Sequence, residues 1–71
     1  SYKEQQEFDG MEEQIMVVET AVERLEAIFS APDFFEKHGD RSEALHHDLD
    51  KTKHELEELY ARWEQLESLT G

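Results

Sequence analysis

Apolar residues recur along this sequence at helical spacing. One ladder runs Phe8, Met11, Ile15, Val18, Val22, Leu25 and Phe29, with steps of 3 and 4 in alternation. That alternation is an a/d heptad seam, a single apolar line on a helix whose other faces carry mostly acids and amides. A second ladder runs Leu45, Leu49, Thr52, Leu56, Leu59, Trp63 and Leu66, with steps of 4 and 3. Thr52 is its one polar member. Neither seam is stable alone in water, and each is the right length to cover the other.

Ser1-Tyr2-Lys3-Glu4 has capping-box spacing, which starts a first helix over about residues 2–30. Gly10 falls on its outer face and weakens it only locally. Ile28 widens the stripe, and Met16 and Val17 are expected to be half exposed. Pro32 disfavours helical geometry at Ala31 and ends the helix. Pro32-Asp33-Phe34-Phe35-Glu36 then reads as one short helical turn, with Pro at its first position, in a connection over about residues 31–39. Gly39 is expected as a left-handed stop. Asp40-Arg41-Ser42-Glu43 repeats the capping-box spacing and starts a second helix over about residues 40–69. Thr70 and Gly71 close the sequence.

Laid antiparallel, the ladders match layer by layer without a slip. Phe29 meets Leu45, Leu25 meets Leu49, Val22 meets Thr52, Val18 meets Leu56, Ile15 meets Leu59, Met11 meets Trp63 and Phe8 meets Leu66. On the flanks Glu26 is expected near His46, Glu19 near Lys53 and Gln14 near Arg62. Phe34 and Phe35 fold back to cap the last layer. The predicted fold is all-α, a two-helix antiparallel coiled-coil hairpin with a short helical turn in the connecting loop. The competing arrangement, a dimer of straight helices, is disfavoured by Pro32, Gly39 and the length of the connection, so a monomer is expected. Val22 opposite Thr52 is the weakest layer and reads as a small-residue layer rather than a joint. A core this thin makes the hairpin marginally stable by itself and more stable when docked.

Seventy-one residues bound the chain to one small domain. With no Cys, disulfides and thiolate metal sites are excluded. There is neither an apolar run near the roughly 18 residues of a membrane span nor the basic-then-apolar pattern of a signal peptide. The first residue is not Met and the helical pattern begins at once, so a piece of a larger protein is expected. The net charge of -12 argues against indiscriminate binding to DNA or anionic lipid. The low apolar content suits a disordered chain, but the regular seams argue for a folded one.

Three stretches carry a family resemblance: Ser1-Tyr2-Lys3-Glu4-Gln5-Gln6-Glu7-Phe8, Ala31-Pro32-Asp33-Phe34-Phe35-Glu36-Lys37-His38, and Glu58-Leu59-Tyr60-Ala61-Arg62-Trp63-Glu64-Gln65-Leu66-Glu67. Their order and content resemble the C-terminal coiled-coil domain of ABC-F proteins, the soluble tandem ATP-binding-cassette ATPases, and most of all the Uup branch. The resemblance spans essentially the whole chain. The Tyr-Lys-Glu-Gln opening and the Leu-Tyr-x-Arg-Trp-Glu close are its specific parts. It implies a cytoplasmic parent with two ATP-binding cassettes, ATP and Mg as the parent's cofactors, and no membrane domain. Family members act on ribosomes, and Uup-like members are linked to DNA binding and to excision of mobile elements. The tail is implied to contribute to nucleic-acid contact. A tail used on DNA is expected to be basic, and here the sequence departs from that expectation.

No Gly-x-x-x-x-Gly-Lys-Ser/Thr phosphate loop occurs, so no ATP site, cofactor or catalytic activity is expected within the chain. Glu43-Ala-Leu-His46 has the Glu-x-x-His spacing of helical di-iron sites, but those need four inward-facing helices and further carboxylates. His47 and His54 share an outer position with Asp50 between them and read as a solvated face, not a metal site. Neighbouring acids such as Glu12 and Glu13 or Glu57 and Glu58 also read as solvated, because two helices enclose no cleft. Trp63 and Tyr60 have faces that can stack on bases. Trp63 lies on the seam, where packing claims it, and Tyr60 lies on a flank.

Charge is unevenly spread. Residues 37–54 balance Lys37, Arg41, Lys51 and Lys53 against Asp40, Glu43, Asp48 and Asp50, and hold all four His. The remainder carries the whole -12. The tip and the first half of the second helix are therefore the region able to approach a phosphate backbone, with Lys37, Arg41, Lys51 and Lys53 as weak contact residues. The expected function is a non-catalytic interaction module that contributes to DNA or ribosomal RNA contact by the parent. The alternatives are a structural brace packed on the parent's cassettes, with no nucleic-acid contact, and a coiled-coil adaptor unrelated to ATPases.

Overall fold

The computed structural model describes residues 1–70, with side chains through Leu69; Gly71 and the side chain of Thr70 lie outside the described residues. Helix α1 spans Tyr2–Ser30, α2 spans Phe34–His38, a 3-10 turn spans Gly39–Arg41, and α3 spans Ser42–Thr70. The long helices pack against each other as an antiparallel hairpin measuring 51 × 15 × 15 Å. A helix of 29 residues is about 43 Å long at 1.5 Å per residue. The long dimension is therefore one helix plus the tip.

The start of α1 follows from its first four residues. The Ser1 hydroxyl accepts from the Glu4 amide at 3.3 Å, and the Ser1 amino group donates to the Glu4 carboxylate at 3.1 Å. This reciprocal box satisfies donors that a helix N-terminus leaves open. At the other end, Ala31 turns extended, with φ -68° and ψ 135°, as a residue before proline prefers. The Phe34 amide donates to the Ala31 carbonyl at 3.1 Å, and Asp33 sits at φ -97° and ψ 18°. Those values make Ala31–Phe34 a type I turn with Pro32 at its second position. Pro32 thus precedes α2 instead of opening it, and the short helix begins two residues later than its sequence suggests.

Gly39 is not a left-handed stop. It is right-handed, at φ -56° and ψ -38°, and its amide donates to the Phe35 carbonyl. The bend falls instead on His38, at φ -131° and ψ 10°. The proline turn and this bend complete the reversal, so no left-handed residue is needed. Asp40 consequently lies inside a 3-10 turn, not at a helix N-cap, and α3 begins at Ser42.

The core is strung along the hairpin. Met11, Ile15, Val22, Phe34 and Leu66 are buried, and Leu66 is completely inaccessible. Phe8, Val18, Leu25, Phe29, Leu45, Leu49, Thr52, Leu56, Leu59 and Trp63 are half-buried. A two-helix seam covers each side chain from the opposite helix and leaves both flanks to water. Near the tip the Phe34 ring lies 4.9 Å from Phe29, and the His46 ring stacks on Phe29 at 4.2 Å. Phe35 does not join the cap and is 80% exposed. Met16 and Val17 are also more exposed than expected, at 66% and 64%. Thr52, the polar seam member, donates its hydroxyl to the Asp48 carbonyl at 2.7 Å, which satisfies it within its own helix.

Burial sets the expected effect of truncation. Leu66→Ala should cost about 2–5 kcal/mol, while Leu69→Ala, on an exposed side chain, should stay within about 0.5 kcal/mol. Circular dichroism melts of the two variants check this. Equal losses would place the core away from Leu66.

Candidate nucleic-acid interface

The four cations singled out in the sequence are all exposed but do not form one surface. Lys37, on α2, pairs with Asp33 at 3.1 Å. Its ammonium, by hydrogen bond and by charge, holds the Asp33 carboxyl below the usual carboxylate range. Lys53 reaches across the hairpin to Glu26 at 3.7 Å. Arg41 and Lys51 form no ion pair among the described residues. Lys51 and Lys53 are two residues apart on a helix and so point about 200° apart. Arg41 and Lys53 are separated by about 18 Å of helix. The tip therefore holds Lys37 and Arg41, and the other two cations sit on opposite sides of α3.

The tip also presents an aromatic ring that the sequence pattern had assigned to the core. Successive residues on a helix point about 100° apart, so Phe34 and Phe35 cannot both face the same apolar layer. Phe34 takes that place, and the exposed Phe35 touches it edge-on, with ring centroids 5.3 Å apart. Trp63 is used differently, since it stacks on Phe8 at 5.8 Å and is half-buried. Phe8, expected opposite Leu66, makes its ring contact with Trp63. Among the His, His46 stacks on Phe29, His54 lies 3.0 Å from Glu58 and His38 lies against Phe34.

The flank pairings are shifted by one heptad from those expected. Glu26 meets Lys53 instead of His46, Glu19 faces Tyr60 instead of Lys53, and Arg62 takes Glu7 instead of Gln14. On the first flank the cause is geometric. Helical side chains lean towards their own N-terminus, so Glu26 and Lys53 converge while Glu19 and Lys53 diverge. On the other flank charge decides. The Arg62 guanidinium reaches past an amide to a carboxylate, donating to both Glu7 oxygens at 2.8 and 2.9 Å. These bonds hold the Glu7 carboxyl below its usual range and raise Arg62. Burial, with the Glu19 carboxylate adding to it, pushes the Tyr60 hydroxyl up.

Two stretches far apart in sequence thus meet at the open end of the hairpin: Glu7 and Phe8 from the opening, Arg62 and Trp63 from the close. The ABC transporter C-terminal domain family matches residues 1–68, which include both stretches. The chain belongs to that family. It is also 37% identical over 67 residues to two proteins of Haemophilus influenzae, "ATP-binding protein Uup-like" and "ATP-binding protein Uup". The aligned region covers 94% of this chain but only 15% and 10% of those relatives. No solved structure matches it. These similarities make it a C-terminal domain of the Uup-like ABC-F type. No helix among the described residues is long and apolar enough to cross a membrane.

The Glu7–Arg62 pair should make stability depend on pH in one direction. A carboxyl with a depressed folded value contributes stability above its ordinary value of 4.5, and that contribution is lost as pH falls through the depressed value. A double-mutant cycle of Glu7→Gln and Arg62→Met should therefore show coupling at about pH 7 and none at about pH 2. Coupling that persists in acid would assign the contact to packing instead.

Proposed function

We propose that this chain is a non-catalytic, monomeric interaction domain that contributes to nucleic-acid contact by an ABC-F ATPase, through the tip of the hairpin. The observation that carries this reading is Phe35, exposed at the end of the molecule where acidic charge is lowest. A solvent-facing aromatic ring near cations is the combination that holds unpaired bases, by stacking and by neutralising phosphate. Lys37 follows Phe35 by two residues on α2 and so points to the other side of that short helix, and Arg41 follows in the 3-10 turn. The acids along both long helices repel the same polymer, which favours end-on contact and keeps it weak. In this reading ATP and Mg belong to the parent's cassettes, and the DNA or ribosomal RNA meets only the tip. The competing role, a brace packed on those cassettes, draws its support from the exposed Met16 and Val17 on the outer face of α1.

Titration of the 71-residue chain with a single-stranded RNA, a structured RNA and duplex DNA at low salt separates the two. Weak binding is expected, falling with salt along a slope set by only a few phosphate contacts. Changing Lys37, Arg41, Lys51 and Lys53 together to Glu should abolish it. Phe35→Ala should weaken single-strand binding about tenfold and leave the melting temperature unchanged. No binding at low salt would leave the brace role. Binding that survives the charge reversal would move the contact to another surface.

A further inference from the structure

The flank of the hairpin opposite the Glu7–Arg62 pair carries a groove of about 560 Å³ between α1 and α3. Ile15, Met16, Tyr60 and Trp63 form its apolar floor and wall, and Glu12, Glu19, Glu23 and Glu64 stand around them. Glu19 is engaged with Tyr60, which fixes one rim acid beside the floor. The stretch of α1 from Glu12 to Glu23 is about 16 Å long, three helical turns. The Glu26–Lys53 ion pair lies beyond it towards the tip. On the other flank a groove of similar size, about 520 Å³, runs past Val17, Val18 and Leu59 and is lined by one acid, Glu13.

We infer that the acid-rimmed groove docks a basic amphipathic helix, which would lie along it as a third helix. Three occupants compete, and charge separates them. Nucleic acid would place phosphates against four carboxylates. A second copy of this chain would bring its own charge of -12 against the same rim. A helix with an apolar stripe and flanking Lys or Arg meets both parts of the groove. Its stripe covers Met16 and Trp63, and its cations sit opposite Glu12, Glu19, Glu23 and Glu64. Third-helix packing at 8–10 Å between axes is the ordinary way in which an open two-helix flank becomes enclosed. Met16 suits such a contact because an unbranched thioether adapts to the side chain it meets. The aligned region covers no more than 15% of the relatives it resembles, so proteins of this type hold ample chain outside it from which such a helix can come. This inference concerns a different face from the tip and does not depend on nucleic-acid binding.

Trp63 is the only Trp in the chain and lines the groove, so its emission reports occupancy. The probe is a Trp-free amphipathic helix of Leu and Lys, four to five turns long. Its controls are a scrambled peptide of the same composition and a Leu/Glu counterpart. The amphipathic basic peptide should shift Trp63 emission saturably, and neither control should do so. Met16→Lys and Val17→Lys add the same charge at adjacent exposed positions, one lining each groove. Met16→Lys should weaken binding at least about tenfold, a change of about 1.4 kcal/mol, and Val17→Lys should have less than half that effect on the free energy. Equal effects of the two substitutions, or equal binding of the scrambled peptide, would reduce the interaction to non-specific charge attraction and overturn the inference. A shift that appears with protein concentration alone, with dimers in sedimentation, would assign the groove to a second copy.

Discussion

A single apolar seam on each long helix is the constraint from which the rest of the molecule follows. The seam of α1 has one partner of matching length within the chain, the seam of α3, and the connection allows only antiparallel pairing. Pro32 blocks continuation of α1, the type I turn redirects the chain, and the bend at His38 delivers it to α3. Two helices cannot enclose a core from every side. Among the described residues five hydrophobic side chains are therefore buried, and the others on the seam are half-exposed at their flanks. The same incompleteness produces the two grooves. They are where the seam meets water, and a hairpin without a third element has one on each side.

The helical hairpin was legible because its signal is redundant. Each ladder repeats the same spacing many times, and an error at one position leaves the pattern intact. The details that were not legible depend on single torsions or single side chains. Gly39 has no Cβ to favour one sign of φ, so its identity alone could not show that the reversal was already complete at His38. Phe34 and Phe35 are equally apolar, and only the phase of α2 decides which one faces Phe29. That phase rests on where the proline turn hands over to the helix, two residues later than the sequence suggested. The shifted flank pairs have the same character. Heptad position identified the correct flank for Glu26, Glu19, Lys53 and Arg62. Side-chain lean and the choice of carboxylate over amide then selected the partner one heptad away. The cations failed as a patch for a simpler reason. Closeness in sequence does not keep Lys51 and Lys53 together, because a helix turns them to opposite sides.

The more specific stretches of the family resemblance, the opening and the close, lie together at the open end of the hairpin. The ends of two long helices have no connection to hold them at this end, and seam burial there must oppose the entropy of both terminal turns. Glu7 with Arg62 and Phe8 with Trp63 tie the ends by a two-bond ion pair on one flank and a ring stack on the seam. Exposed ion pairs contribute little by themselves. This one joins the two helices directly, at the end of the hairpin away from the tip, and Met11 and Leu66 on the neighbouring seam positions are fully buried. The specificity of the opening and closing motifs is thus accounted for by one contact region, although they are more than fifty residues apart.

Charge then divides the remaining surface into regions of different character. The long helices carry almost all of the acidic excess, and the segment from Lys37 to His54 is neutral. An anionic polymer approaching from the side meets carboxylates along its whole path. One approaching the tip meets Phe35, Lys37 and Arg41 interspersed with Asp33, Glu36 and Asp40, and most of the repelling field is spread over a helix about 43 Å long behind them. At ordinary ionic strength screening acts over about 8 Å, so most of that field is not felt at the tip. The acids that exclude nucleic acid from the flank also give the apolar groove beside Trp63 a preference in charge. Without them, Met16 and Tyr60 would form a generic sticky edge on a marginally enclosed hairpin. With Glu12, Glu19, Glu23 and Glu64 around it, the same edge repels another acidic copy and is complementary in charge to a basic helix.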